Sequence, residues 1–400
     1  MKTLKNIGKI ALLSLALCGG TTSCNYLDVV PPEQASLPDA TKDPESTLGF
    51  LFSCYGGIRN PFDYQTVEAG ADEYVLPPLW NTGSQKITWD LNLPTNIADG
   101  WSWGSNYRFI GQCLLFLQQL PHARGVTDEQ KRAWAAEANF LLAYYHMVTL
   151  VAYGPCPITD TYIDQATPES EYNGRMHFDY VKDWICQKFD EVCEDGQLPA
   201  TRTGDEWGRA TSVMAKALKA RLLVYAASPL FNGSFPYKDW ENTNFETPGY
   251  GKELISLKYD RKKWEVAKAA CQEAITAAEA AGHKLFSLED AQSLYQQAGL
   301  PLPFVPFKSA EGGTADKDKE FMERVQLMRY VVTTRYKEGN RETIWGLANQ
   351  GTMIIGSLPH RVIKNNQGTW KAGYSGVSPT LNTVEHFYTE NGVPIEKDKQ

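Results

Sequence analysis

Between Asp43 and Gly282 the chain repeatedly sets apolar residues three and four apart and then stops on glycine or proline, a punctuation that builds packed helices rather than sheet. Asp43 reads as an N-cap with Pro44 in the first helical position, and Leu48, Leu51, Phe52, Tyr55 and Ile58 make one apolar face before Asn60-Pro61 closes it. Trp103 to Leu120 presents Tyr107, Ile110, Leu114 and Leu117 on one side and ends at Pro121. Thr127 and Gln130 form a capping-box pattern that opens the strongest helix, with Ala138, Leu141, Leu142, Tyr145 and Val148 inside and Gly154-Pro155 as its stop.

Phe178 to Asp195 follows, burying Val181, Trp184, Ile185 and Val192 and capped by Gly196. The alanines of Gly208 to Ser228 invite close approach by a neighbour, and Pro229 ends that helix. Asp260 opens another, with Trp264, Ala267, Cys271, Ala274, Ile275 and Ala278 on its apolar side and Gly282 after it. Successive helices of this kind pair antiparallel and stack as in tetratricopeptide arrays, where each hairpin covers its neighbour's apolar face. The fold class expected is therefore all-α, helical hairpins with long loop-rich insertions. One insertion is residues 61–102, rich in Pro, Gly, Asn and Trp; another begins near Gly299, with short β-like runs at Tyr330 to Thr334 and Thr343 to Trp345.

The N-terminus reads as an export signal. Lys2, Lys5 and Lys9 precede an apolar run from Ile10 to Leu17, and small residues from Gly19 to Ser23 lead to Cys24. Cleavage before Cys24 would expose a thiol for diacylation, although Thr21 stands where a bacterial lipobox usually carries Leu. Residues 1–23 are thus a signal peptide and residues 24–42, with Pro31-Pro32 and Pro38, a lipid-anchored tether. Losing the signal moves the formal net charge from −8 to −11, because it removes Lys2, Lys5 and Lys9 and no acid. So acidic a chain argues against nucleic acid as a partner. Cys54, Cys113, Cys156, Cys186, Cys193 and Cys271 form no CxxC pair, which argues against structural zinc and for buried thiols.

Three stretches resemble the SusD/RagB family of outer-membrane, nutrient-binding lipoproteins. They are Cys24-Asn25-Tyr26-Leu27-Asp28-Val29-Val30-Pro31; Ala135-Ala136-Glu137-Ala138-Asn139-Phe140-Leu141-Leu142-Ala143-Tyr144-Tyr145 with Tyr153-Gly154-Pro155-Cys156-Pro157-Ile158; and Gly208-Arg209-Ala210-Thr211 running on to Ala226-Ala227-Ser228-Pro229. Leu142 stands where the family commonly has Arg. The resemblance implies a helical region over residues 43–230 and a loop-rich region over 231–400 that stops short of the family's usual C-terminal extent. It also implies capture of an oligosaccharide or polysaccharide at the cell surface, on the outer membrane of a Gram-negative bacterium. The ligand would pass to a SusC-like, TonB-dependent transporter. A RagB-like peptide carrier would share the scaffold, and an all-α glycan-processing enzyme is the third reading.

No nucleophile elbow, zinc-binding His-Glu pattern, phosphate loop or dinucleotide fingerprint is present, and the histidines His122, His146, His177, His283, His360 and His386 are scattered singly. The sequence therefore names no catalytic residue, metal or cofactor. What it offers is aromatic rings. A sugar ring has apolar C–H faces edged by hydroxyls, so a flat aromatic stacks on it while polar side chains bond its rim. Trp80, Trp89 and Trp101 crowd the first insertion with Tyr74, Asp72 and Asn81, and Trp370 and Tyr374 sit in a later Gly-rich loop; these are the ligand-contact candidates. Trp103 and Tyr107, one helical turn apart, read as core.

Overall fold

The computed structural model describes residues 37–58, 73–77, 103–164, 166–297 and 334–346, with short pieces at 86, 93, 321, 323–325, 327–328, 330–332, 363–364, 367–371, 376–389 and 393–398. The principal helices are α1 (Pro44–Tyr55), α2 (Trp103–Gln119), α3 (Asp128–Tyr153), α4 (Phe178–Glu191), α5 (Ser212–Ala227), α6 (Arg261–Ala280), α7 (Leu288–Gln297) and a last turn, α8 (Leu381–Glu385). Several begin where a short polar side chain satisfies orphan N–H groups. Asp43 Oδ1 accepts the Ser46 amide at 2.7 Å. Thr127 and Gln130 close the expected capping box at 3.2 and 3.0 Å. Thr211 caps α5 and Asp260 caps α6, accepting from Met214 and Lys262 at 3.2 and 2.8 Å.

Consecutive helices run antiparallel, as paired contacts along them require. Along α2 and α3, Asn106 Nδ2 donates to Thr149 Oγ1 at 3.1 Å while Phe109 stacks on Tyr145, so α2 rises as α3 falls. His146 faces Trp184 and Phe140 faces Phe189 across α3 and α4. Lys219 meets Asp190, and Lys216 meets Glu273, in the next two pairs. The fold is all-α, built of tetratricopeptide-like hairpins, and one apolar core runs without break from α1 through α6. Among the described residues no helix is long and apolar enough to cross a membrane.

The most extensive helix pairing is α5 on α6. The residues that α6 buries are Ala267, Ala270, Ala274 and Ala278, so it meets α5 through small side chains. Trp264 and Ile275, expected inside, are instead 42% and 51% exposed. The reason is steric: in so narrow a seam bulky side chains would wedge the helices apart, and they are turned to the edge. Phe52 is likewise 46% exposed, with the Arg209 guanidinium 5.6 Å over its ring, because α1 buries Thr47, Phe50, Leu51 and Cys54 instead.

Two further expectations are corrected. α4 stops at Glu191, short of Asp195, whose positive φ of 50° breaks the helix before Gly196. Tyr330 to Val332 is helical rather than β-like, because Leu327, Tyr330 and Val331 share one helical face against Phe286, Ala291 and Tyr295. Thr343 to Trp345 is irregular chain with a bend rather than a strand; Trp345 packs on Phe140 and Tyr144 and donates its indole N–H to Gly208 O at 3.0 Å. The described strands are two-residue antiparallel pairs, β1 (Tyr74–Val75) with β4 (Ser378–Pro379) and β2 (Ile363–Lys364) with β3 (Trp370–Lys371). Cys54, Cys113, Cys156 and Cys186 are buried free thiols, and Cys193 and Cys271 are half-buried.

Candidate ligand-binding face

Helix α3 ends in a left-handed turn at Gly154 (φ 68°), and around that turn several aromatic rings are brought together. The Trp103 amide donates to Tyr153 Oη at 3.0 Å, and the Trp103 ring lies edge-on to Tyr153 and 5.0 Å from Tyr107. Arg175 holds the group from outside: its guanidinium sits 4.8 Å over Trp103, and Nη1 donates to Pro155 O at 2.6 Å. Asn242 Nδ2 in turn donates to Arg175 O at 2.6 Å, tying in the chain that follows α5. Trp103 and Tyr107 are thus packed against the core, as their helical spacing implies.

The insertion between α1 and α2 joins the described helices at two points. It leaves the core past Gly57, where a Cβ would lie 2.8 Å from Tyr145 Oη, and rejoins it at Trp103. Both attachment points therefore lie beside the C-terminal half of α3.

From the core a ladder of rings leads outward along the chain after α5. Phe178 stacks on Phe231 at 4.1 Å with planes 6° apart, Phe231 lies 6.3 Å from Phe235, and Phe235 stacks on Trp240 at 5.5 Å and 9°. Trp240 lies over Gly154, where an added Cβ would meet its ring at 3.5 Å. Tyr237 stands edge-on to Phe235 and is 70% exposed. Together Phe235, Pro236, Tyr237, Lys238, Asp239 and Trp240 line an open groove of about 730 Å³.

The ionisable groups behind this face are held uncharged. Burial keeps the Tyr107 phenol protonated, and it donates to Pro157 O at 2.7 Å. Burial pushes the Cys156 thiol up to about 12 and the His146 imidazole down to about 4. His146 Nδ1 lies 2.8 Å from Leu142 O, and its Nε2 accepts the Thr159 amide at 3.1 Å, the neutral tautomer that both contacts require. A second cavity, between α4, α5 and α6, contains Asp179, Lys182, Asp183 and Lys263, but these pair with one another at 2.7 to 2.8 Å. Among the described residues no group of three or more His, Cys, Asp and Glu could hold a metal. The face offers rings to stack on, with polar groups at its edge.

A scan against protein-family models returned no match, and neither did a search of curated proteins. Solved structures do match. BT4246 is 52% identical and superposes with a TM-score of 0.75, over 90% of this chain and 59% of that one. A SusD-like protein, BF3747, from Bacteroides fragilis has the same fold at 16% identity and a TM-score of 0.58, over 90% of this chain and 57% of that one. The chain has the SusD-like fold. Surface glycan-binding protein A from Bacteroides uniformis shares the SusD-like fold at 14% identity and a TM-score of 0.51, over 86% of this chain and 61% of that one. The chain thus spans about three-fifths of the length of the structures it matches.

Of the contacts read from the sequence of this SusD-like chain, Tyr74 is half-buried in β1 opposite Pro379, and Trp370 lies in β3 opposite Lys364, on a different ladder. Asp72, Trp80, Asn81, Trp89, Trp101 and Tyr374 lie outside the described residues, as does Cys24. The groove at Phe235 to Trp240 was not legible as a site from periodicity. Its signal was the density of rings in the stretch after α5, Phe231, Phe235, Tyr237, Trp240 and Phe245, with Pro236 and three charges among them.

Proposed function

We propose that this chain is a lipid-anchored protein of the bacterial outer-membrane surface that binds oligosaccharides or polysaccharides and presents them to a SusC-like, TonB-dependent transporter. The observation that supports it most is the SusD-like helical scaffold ending in a cluster of core-anchored rings at the turn after α3. Glycan binding is what the shared fold of surface glycan-binding protein A suggests for it. Acylation at Cys24 would hold the body to the membrane, and residues 24–42 would let it swing over a transporter's mouth. Capture needs no bond cleavage, so the protein acts without catalysis.

Affinity electrophoresis of the purified chain through gels containing laminarin, amylopectin, pectin or mucin glycans tests the reading. Retardation by at least one of them, with the polysaccharide recovered intact after long incubation, is the expected result. Mobility unchanged in every gel, or shortened products, would overturn it. Fatty-acid labelling in cells tests the anchor: label present in the wild type and lost in Cys24→Ala supports it, and undiminished label in the variant removes it.

A further inference from the structure

We infer that the turn Phe235 to Trp240 is itself a carbohydrate-binding platform, separate in sequence from the insertion that carries Trp80, Trp89 and Trp101. The inference rests on the glycan-binding reading above. Phe235 and Trp240 are half-buried and packed on the main core, so the floor of the groove is rigid. They stack on each other with planes 9° apart, a firm backing from which Tyr237 projects 70% exposed. Held edge-on to Phe235, the Tyr237 ring is open to cover by a ligand.

The character of the edge says what that cover is. Lys238 and Asp239 are exposed beside the rings, and neither forms an ion pair among the described residues. Apolar faces flanked by one donor and one acceptor match a pyranose, whose C–H face stacks while its hydroxyls bond the rim. A protein partner fits poorly, since stable interfaces engage roughly 20 to 30 residues a side. The groove's volume of about 730 Å³ lies within the range of small-ligand sites. The turn is also braced from behind: Trp240 rests on Gly154, and Asn242 is bonded to the Arg175 carbonyl. Binding here would therefore need little reordering of the loop.

Affinity electrophoresis of Tyr237→Ala beside the wild type, in the gel that retards the wild type, decides the matter. Because Tyr237 is exposed, the variant is expected to unfold at the wild-type temperature and to bind about tenfold more weakly or worse. Wild-type affinity in the variant overturns the platform while leaving the proposed function standing; a wild type retained by no polysaccharide removes both. A second measurement needs no variant. Saturating the wild type with the retained polysaccharide is expected to slow acetylation of Lys238 at least several-fold relative to exposed Lys262, and equal rates would overturn the platform.

Discussion

Arg209 grips the fully buried carboxylate of Glu137 through two nitrogens, Nη2 at 2.5 Å from Oε1 and Nε at 3.1 Å from Oε2. Arg202 Nη2 adds a third donor at 2.9 Å, and Tyr55 Oη a fourth at 2.6 Å, while accepting the Ala210 amide at 2.9 Å. One side chain in the middle of α3 thus fastens the end of α1 and the loop before α5. A buried charge is tolerated only with such full satisfaction.

Glu137→Gln keeps the shape but leaves two guanidinium groups with, among the described residues, only the exposed Glu206 as counter-charge. The expected cost is about 3 to 5 kcal/mol, read as a lower urea midpoint. Tyr55→Phe, which orphans the Ala210 amide, is expected to cost about 1 to 3 kcal/mol. A change below about 1 kcal/mol for Glu137→Gln would contradict the role assigned to it.

Stability should fall on mild acidification. His146 and His177 are fully buried, and burial lowers each from 6.5 to about 4. Both are therefore neutral in the fold, while the unfolded chain takes up protons from pH 6.5 downward. Their contribution is complete above pH 6.5 and is lost as pH falls toward 4, up to about 3 kcal/mol for each. Urea midpoints at pH 7, 5.5 and 4 check it, and a flat profile over that window would count against it.

The Ala-lined seam between α5 and α6 gives a contrast pair. Ala267→Leu forces extra volume between two close backbones and is expected to cost about 1 to 3 kcal/mol. Ile275→Gln, on the exposed edge of the same helix pair, is expected to stay within about 0.5 kcal/mol of wild type. Thermal unfolding of both variants distinguishes this packing from one in which Ile275 is core.

Gly57 is glycine for space rather than for backbone conformation. An added Cβ would run into the Phe109 ring and lie 2.8 Å from Tyr145 Oη, which donates to Cys54 O at 2.6 Å. Gly57→Ala is expected to lower stability by about 1 to 3 kcal/mol and to displace the exit of the insertion that follows α1. An unchanged denaturation midpoint would show that the exit yields freely.

Much of the helical frame was legible because its signals are local. Asp43, Thr127 with Gln130, and Asp260 cap their helices as their residue types require, and Gly154 stops α3 where it stands in the chain. What failed was the assignment of faces, at Phe52, Trp264 and Ile275, because the seam each helix buries is set by its neighbour's side chains. Glu137 carried a readable signal, a lone acid within the apolar run Ala135 to Leu142, but its partners Arg202 and Arg209 lie far along the chain. The groove was missed for a related reason: Phe235 and Trp240 become parallel only because Phe231 and Gly154 support them in space.

The central claim is that this chain captures glycan and leaves it unchanged. Isothermal titration of the purified chain with oligosaccharides from each tested polysaccharide, and with a peptide mixture, addresses it most directly. The account predicts saturable binding of at least one saccharide with a negative heat-capacity change, as stacking on aromatic faces removes apolar surface from water, and no response to peptides. Saturable binding of peptides with none of any saccharide would contradict it.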